Sequence, residues 1–208
     1  VKSLPSVTSN PTNSTVCSGT GTSFSVTATG TALTYQWQVN SGSGWTNLSD
    51  VGIYYGTNTS VLRFSNAVNT TYNSYQYRCV ITGSCSPAVT SNAVTLTVNT
   101  PVSIISQPSS VAVCTGSSTS FSVSATGAGI VYQWQVFSGG SWVNVSNTGI
   151  YSGATSSTLT LTSPTSTQNN LQYKCVLTGT CSTLSSNVAT LTVNDVPTVP
   201  SSISGDLT

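Results

Sequence analysis

The chain consists of short stretches in which apolar and polar residues alternate. Residues 24–28 place Phe, Val and Ala between Ser and Thr, residues 35–39 place Tyr, Trp and Val between Gln, and residues 75–81 keep their large apolar side chains on one parity. A period of two predicts β-strands with one buried and one solvated face. Clusters of Gly, Asn, Ser and Pro separate these stretches at short intervals, which is typical of a β-sandwich rather than of alternating strands and helices. The pattern therefore predicts an all-β protein.

The same unit occurs twice in the chain. At an offset of 97 residues, Cys17-Ser18-Gly19 returns as Cys114-Thr115-Gly116, and the Tyr-Gln-Trp-Gln-Val of 35–39 returns at 132–136. The offset falls to 96 at the Tyr-x-Cys of 77–79 and to 95 at the final Leu-Thr-Val, as expected if loops absorb changes in length. We therefore predict one repeat in residues 1–99 and a second in 100–195. Residues 196–208 resemble the opening of another copy, so we interpret them as a linker and the start of a further repeat.

The order of strand signals within each repeat is that of an immunoglobulin-like domain. A Trp on the third strand and a Tyr two residues before a Cys on the sixth are typical of this fold. Trp37 and Trp134 occupy the first position and are predicted to lie in the core. Tyr77 and Tyr173 occupy the second, the tyrosine-corner position. The fold class that we predict is two tandem immunoglobulin-like β-sandwiches.

Several motifs together resemble the Ig-like repeats of very large secreted adhesins of Bacteroidota, including those associated with gliding motility. The motifs are Cys-x-Gly, Tyr-Gln-Trp-Gln, Gly-Ile-Tyr-x-Gly, Tyr-x-Cys followed six residues later by a second Cys, and Ser-Asn before the last strand. The resemblance implies a non-catalytic stalk or filament module of a secreted cell-surface adhesin, which presents or spaces a binding region. Its expected partners are neighbouring repeats of the same chain, with surface glycans or other copies of itself as further candidates.

Cysteine occurs three times in each repeat. Cys79 and Cys175 lie on the sixth strand, but the facing positions are Val26 and Val123, so the usual bridge between the sheets of an Ig domain is absent. We therefore predict Cys79 and Cys175 to be buried thiols that pack as small hydrophobic groups.

The other four cysteines are candidates for disulfide bonds. Cys17 and Cys114 precede the second strand, and Cys85 and Cys181 follow the sixth, which in an Ig sandwich are opposite poles. One hypothesis is a bond across the junction between repeats, Cys17 to Cys181, leaving Cys85 and Cys114 for neighbouring repeats. The alternative is a bond within one repeat, such as Cys17 to Cys85. Either arrangement implies an oxidising, extracellular compartment.

Charged residues are nearly absent, which limits the kinds of functional site that the chain can form. The chain of 208 residues has four Lys or Arg, three Asp, no Glu and no His, for a formal net charge of +1. Catalytic triads lack their usual base, paired carboxylates are missing, and a basic face for nucleic acid cannot form. No apolar run approaches the roughly 20 residues of a membrane span. We therefore expect no enzymatic activity, no metal or other cofactor and no membrane span.

Aromatic side chains are the remaining candidates for ligand binding. Trp45 and Trp142 each follow a glycine turn, so they either cover the sandwich or form a platform on which sugars stack. Tyr55 and Phe137 have no aromatic equivalent in the other repeat, which predicts exposed or copy-specific contacts. The alternative functions are therefore a carbohydrate-binding accessory module that uses exposed aromatic residues, or a subunit of an extracellular fibre.

Overall fold

A computed structural model describes residues 1–66 and 68–195 of the chain. It divides into two compact units, Val1–Pro101 and Val102–Thr208, each with its own core. The predicted start of a further repeat, residues 196–208, lies outside the described residues.

In its described residues, unit 1 has eleven strands and one short 3-10 helix, Thr70–Tyr72. In chain order the strands are β1 Ser6–Ser9, β2 Ser14–Cys17, β3 Thr22–Ser25, β4 Thr27–Thr29, β5 Thr34–Asn40, β6 Trp45–Asn47, β7 Tyr54–Tyr55, β8 Val61–Phe64, β9 Gln76–Thr82, β10 Val89–Thr90 and β11 Val94–Asn99.

The strands of unit 1 form two layers. One layer has the order β2-β11-β9-β5-β6, with β10 also paired to β9; the other contains β3-β8-β7 and the pair β1-β4. Every pairing is antiparallel except that of β2 with β11, which is parallel and runs from Leu96 opposite Ser14 to Asn99 opposite Cys17. The first strand of the larger sheet is therefore bonded directly to the last strand of the unit.

Unit 2 repeats this arrangement, with a 3-10 helix at Ser166–Gln168. Its strands are β12 Ser103–Ser106, β13 Val111–Cys114, β14 Thr119–Ser122, β15 Ser124–Thr126, β16 Val131–Ser138, β17 Ser141–Asn144, β18 Tyr151–Ser152, β19 Thr158–Leu161, β20 Gln172–Thr178, β21 Thr183–Ser185 and β22 Ala189–Asn194. The larger sheet has the order β13-β22-β20-β16-β17, and β13 pairs with β22 in parallel. The prediction of an all-β fold is confirmed.

The alternating pattern of the sequence is the reason that each unit has a core. On β9, Tyr77, Cys79 and Ile81 are fully buried, while the residues between them face the outside of the sheet. Trp37 lies beside them on β5, fully buried, and its indole Nε1 donates a hydrogen bond to the carbonyl oxygen of Thr59 at 2.9 Å. Trp134 in unit 2 makes the equivalent bond to Ser156. The indole thus fills the space between the sheets with its one polar atom satisfied.

Tyr77 and Tyr173, at the predicted tyrosine-corner positions, each pair with another tyrosine. Both residues are fully buried. The Tyr77 hydroxyl lies 3.3 Å from that of Tyr54, and the Tyr173 hydroxyl lies 3.0 Å from that of Tyr151. The partner tyrosine stands on β7 or β18, in the opposite layer, and burial raises the pKa of both Tyr77 and Tyr173. The pair is therefore a polar bond between the sheets.

Candidate functional site

The outer face of the larger sheet in unit 1 carries a row of four interacting side chains, which we call the Trp45 strip. It consists of Trp45, Asn47, Gln38 and Arg78. The Arg78 guanidinium lies 4.2 Å from the centre of the Trp45 ring, and its Nε donates to Gln38 Oε1 at 2.8 Å. Gln38 Nε2 in turn donates to Asn47 Oδ1 at 2.8 Å. The pairing of the strands places these side chains in a row. Gln38 on β5 stands directly opposite Arg78 on β9 and Asn47 on β6.

Unit 2 builds the same strip with a lysine in place of the arginine. The Lys174 ammonium lies 4.3 Å from the centre of the Trp142 ring, and Gln135 donates to Asn144 at 2.9 Å. Phe137 contacts Trp142 edge to face, with ring centres 5.3 Å apart. Arg78 and Lys174 thus occupy equivalent positions in the two units, and each lies against a tryptophan ring. They are two of the four Lys and Arg residues in the chain.

The strip shows what the ligand candidates Trp45 and Trp142 do. Both are half-buried, and a cation lies over one face of each ring, while part of each side chain stays exposed. Tyr55 is 51% exposed on β7 and Phe137 is 37% exposed on β16. Sequence reasoning missed Arg78 and Lys174. The available signal was that a chain with so few cations keeps one at this position in both repeats.

The first and last strands of each unit are joined by side chains as well as by backbone. Upstream of the parallel pair β2–β11, Asn10 accepts a hydrogen bond from the backbone N–H of Asn92, and Asn13 accepts one from Thr95. In unit 2, Gln107 and Ser110 accept the equivalent bonds from the residues before and within β22. We call this joined region, residues 10–17 with 92–99 in unit 1 and residues 107–114 with 187–194 in unit 2, the terminal clamp.

The six cysteines have three different environments. Cys17 and Cys181 are disulfide-bonded. Cys79 and Cys175 are buried free thiols, and burial raises the pKa of each to about 11. Cys85 and Cys114 are free thiols that reach solvent. Because Cys85 carries a free thiol, it is not the partner of Cys17.

Asp50 bonds to a residue seven positions later in the chain. Its Oδ1 accepts hydrogen bonds from the backbone N–H of Thr57 at 2.8 Å and from the Thr57 hydroxyl at 2.6 Å. The bond from the Thr57 hydroxyl has the larger effect and the bond from the Thr57 N–H adds to it, and together they hold the pKa of Asp50 below its ordinary value. In unit 2, Asn147 accepts the equivalent bond from the N–H of Ala154 at 2.7 Å. The position needs a side-chain oxygen acceptor, and an amide serves as well as a carboxylate.

This difference predicts that Asp50 makes unit 1 sensitive to acid. A carboxyl whose pKa is lowered on folding contributes stability above its unfolded pKa, and that contribution is lost as the pH falls below about 4. We expect the urea midpoint of unit 1 to fall between pH 4 and pH 2, and Asp50→Asn to remove most of that fall while leaving the midpoint at pH 7 nearly unchanged. Urea titrations of both proteins across this range measure the effect; an identical fall in the variant would contradict it.

The described residues contain no group of three Asp or Cys side chains close enough together to hold a metal ion. Nor does any helix in the described ranges have the length and apolar character needed to cross a bilayer.

Comparisons with known proteins agree on the fold. No family model matches the chain. An I-band fragment of titin, I67–I69, superposes with a TM-score of 0.74 at 16% identity, covering 94% of this chain and 67% of that one. The eight N-terminal Ig domains of Down Syndrome Cell Adhesion Molecule give 0.71 at 19% identity, covering 93% and 25%. The prediction of tandem Ig-like sandwiches is therefore confirmed.

One curated protein is similar in sequence. Endoglucanase C of Cellulomonas fimi is 32% identical over 197 residues, which are 93% of this chain. The chain spans only 16% of the length of that enzyme. The similarity therefore concerns a module within a much longer protein.

Proposed function

We propose that the chain is a load-bearing spacer from a larger extracellular protein, a stalk that holds a binding region away from the cell surface. The observation that carries this proposal is the terminal clamp, present in both units. The disulfide bonds at Cys17 and Cys181 support an oxidising, extracellular location. The structural similarity to tandem Ig domains of titin, and the sequence similarity to a segment of a much longer enzyme, support a role as a non-catalytic module.

The direction of the clamped strands explains how a unit would bear tension. In unit 1 the chain enters this strand pair at the start of β2, after β1, and leaves it at the end of β11, and the two strands run parallel. The entry point and the exit point therefore lie at opposite ends of one bonded pair. Tension between them loads the hydrogen bonds of the pair in shear, all at once, instead of opening them one after another.

The finer proposal is a module of a secreted bacterial cell-surface adhesin of the type found in gliding Bacteroidota. The motif resemblance supports it, as does a surface kept polar mainly by hydroxyl and amide groups, with only seven Lys, Arg or Asp residues in the chain. Such a surface interacts weakly with charged neighbours and responds little to salt, which suits a spacer.

Removing one clamp bond tests the proposal. We expect Asn13→Ala, which leaves the N–H of Thr95 without its partner, to lower the force at which unit 1 unfolds when the chain is pulled through its termini. The measurement is single-molecule force spectroscopy in dithiothreitol, with the unit 2 event as an internal reference. Asn69→Ala is the matched control, since it also removes one acceptor of a backbone N–H, that of Thr71, but outside the clamp. Each variant loses about 1 kcal/mol of equilibrium stability. Equal unfolding forces for the two variants would contradict the load-bearing proposal.

A second candidate is a carbohydrate-binding accessory module. The Trp45 strip favours it, because a partly exposed tryptophan beside amide groups suits sugar rings, and Endoglucanase C is named for an enzyme of glucans. If this function holds, the chain will sediment with insoluble cellulose, and a Trp45→Ala/Trp142→Ala double variant will stay in the supernatant with its strand content intact. If the unaltered chain also stays in the supernatant on cellulose and on a glycan array, the carbohydrate-binding proposal is wrong.

A further inference from the structure

The outer face of the smaller sheet in unit 1 carries an arginine beside a tyrosine. Arg63 on β8 stands directly opposite Tyr55 on β7 and Ser23 on β3. The residues next to them, Tyr54 and Phe64, contact each other on the inner side, with ring centres 5.5 Å apart. Because side-chain directions alternate along a strand, Ser23, Arg63 and Tyr55 point outward together, and all three are exposed. We call these three residues the Arg63 row.

The same row in unit 2 contains only hydroxyl side chains. Thr160 on β19 stands opposite Ser152 on β18 and Ser120 on β14. At the repeat offset of 97 residues, Thr160 corresponds to Arg63 and Ser152 corresponds to Tyr55. Unit 1 thus differs from unit 2 at two paired positions of the row. Both differences introduce a residue type that is enriched among the residues that carry binding energy.

The guanidinium of Arg63 is available to a ligand. The residue is exposed, and among the described residues its side chain makes no hydrogen bond, ion pair or ring contact. Arg78 and Lys174, in contrast, are already held against tryptophan rings. A planar guanidinium matches the two oxygens of a carboxylate with two parallel N–H···O bonds. The Arg63 row therefore presents a free group for binding a carboxylate.

Tyr55 and Ser23 add groups that suit a sugar on either side of the guanidinium. Tyr55 is 51% exposed, so its ring is open to the apolar C–H face of a sugar. The Ser23 hydroxyl is both a donor and an acceptor, as sugar hydroxyls are. Neighbouring strands lie about 4.8 Å apart, so the row from Ser23 to Tyr55 spans about 10 Å. An acidic sugar can therefore contact all three side chains at once.

The rest of this face favours a polysaccharide over a protein as the ligand. The next outward pair on the sheet is Ser25 with Val61, of which only the half-buried valine is apolar. The buried centre of a protein–protein interface is depleted of charge and rich in apolar contacts. A sugar chain needs less apolar surface, because hydroxyl groups and one aromatic ring are enough to orient it.

We propose that the Arg63 row binds an acidic polysaccharide through the carboxylate of a uronic acid. The Arg63 guanidinium holds the carboxylate, the Tyr55 ring stacks on the sugar, and the Ser23 hydroxyl bonds to a sugar hydroxyl. Unit 1 carries the site and unit 2 does not. The site lies on the smaller sheet, whereas the Trp45 strip lies on the larger one, so the two ligand proposals are independent.

Binding of the full chain to immobilised polygalacturonate, measured by biolayer interferometry, tests the proposal. Low ionic strength is used because salt screens an exposed ionic contact. We expect the unaltered chain to bind this polymer and not neutral dextran. Tyr55→Ser/Arg63→Thr, which reproduces the row of unit 2, should lose about tenfold in affinity. Lys2→Gln is the matched control, because it removes the same charge from an exposed residue outside the row, and its affinity should be unchanged.

Moving the row to unit 2 separates recognition from net charge. Ser152→Tyr and Thr160→Arg are added to the Tyr55→Ser/Arg63→Thr variant. The resulting chain has the composition and the net charge of the unaltered one, so we expect polygalacturonate binding to return. Circular dichroism checks that every variant keeps its strand content.

Several results would overturn the proposal. They are no binding of the unaltered chain to polygalacturonate, an equal loss of affinity in Lys2→Gln, and no recovery in the chain with the moved row. Equally tight binding to poly-glutamate would indicate a site for acidic peptides instead. Loss of binding in Trp45→Ala/Trp142→Ala, with strand content intact, would assign the polymer to the Trp45 strip. The load-bearing proposal is unaffected by these outcomes, since its test is an unfolding force.

Discussion

Replacing Trp37 with alanine is expected to remove a large part of the stability of unit 1 and to leave unit 2 unchanged. The side chain is fully buried between the sheets, and its indole N–H satisfies the carbonyl oxygen of Thr59. Loss of a buried tryptophan side chain costs about 3–5 kcal/mol, against a total of about 5–15 kcal/mol for a domain of this size. Urea denaturation in dithiothreitol should therefore show one transition shifted to much lower urea and one in its original place.

Two further variants control this measurement. Trp37→Phe keeps most of the apolar volume and loses the hydrogen bond to Thr59, so we expect it to cost clearly less than the alanine variant. Trp134→Ala should produce the mirror image, with unit 2 destabilised and unit 1 unchanged, because each unit has its own core cluster. If either alanine variant shifted both transitions equally, the two units would not fold independently.

The sequence predicted which side chains face inward because inward direction depends only on alternation. The alternation of apolar and polar residues placed Trp37, Tyr77 and Cys79 on the inward faces of their strands, and all three are fully buried. The repeat offsets predicted a second copy of the same unit, and its Trp134 and Tyr173 are buried in the same way. Local pattern was sufficient for these features.

Contacts between strands were not predictable in the same way, because they depend on register and on which layer each strand joins. The sequence does not show that Tyr54 lies across the core from Tyr77, so the hydroxyl pair was not predicted. Arg78 and Trp45 are far apart in the chain and meet only because β5 lies between β9 and β6. Pattern alone does not supply this order of strands.

The partners of the cysteines were the least predictable feature. Disulfide pairing depends on the positions of sulfur atoms in three dimensions and not on spacing in the chain. The sequence left a bond within one repeat and a bond between repeats open. The free thiol of Cys85 excludes the Cys17–Cys85 alternative.

The direction of pulling is expected to have the largest effect on mechanical strength. In the parallel pair β2–β11, force between Thr12, just before β2, and Pro101, just after β11, loads every hydrogen bond in shear. Force between Thr12 and Ala93, both exposed residues just before these strands, opens the same pair from one end. The bonds and the equilibrium stability are identical in the two geometries, so any difference in unfolding force comes from direction alone.

The measurement that tests the load-bearing account most directly is therefore force spectroscopy of one protein pulled in these two directions. Handles are attached through unnatural amino acids, so that no cysteine is added, and dithiothreitol keeps the disulfide open. We predict that unit 1 unfolds at a several-fold higher force when pulled between residues 12 and 101 than when pulled between residues 12 and 93. Equal forces, or a higher force for residues 12 and 93, would contradict the account.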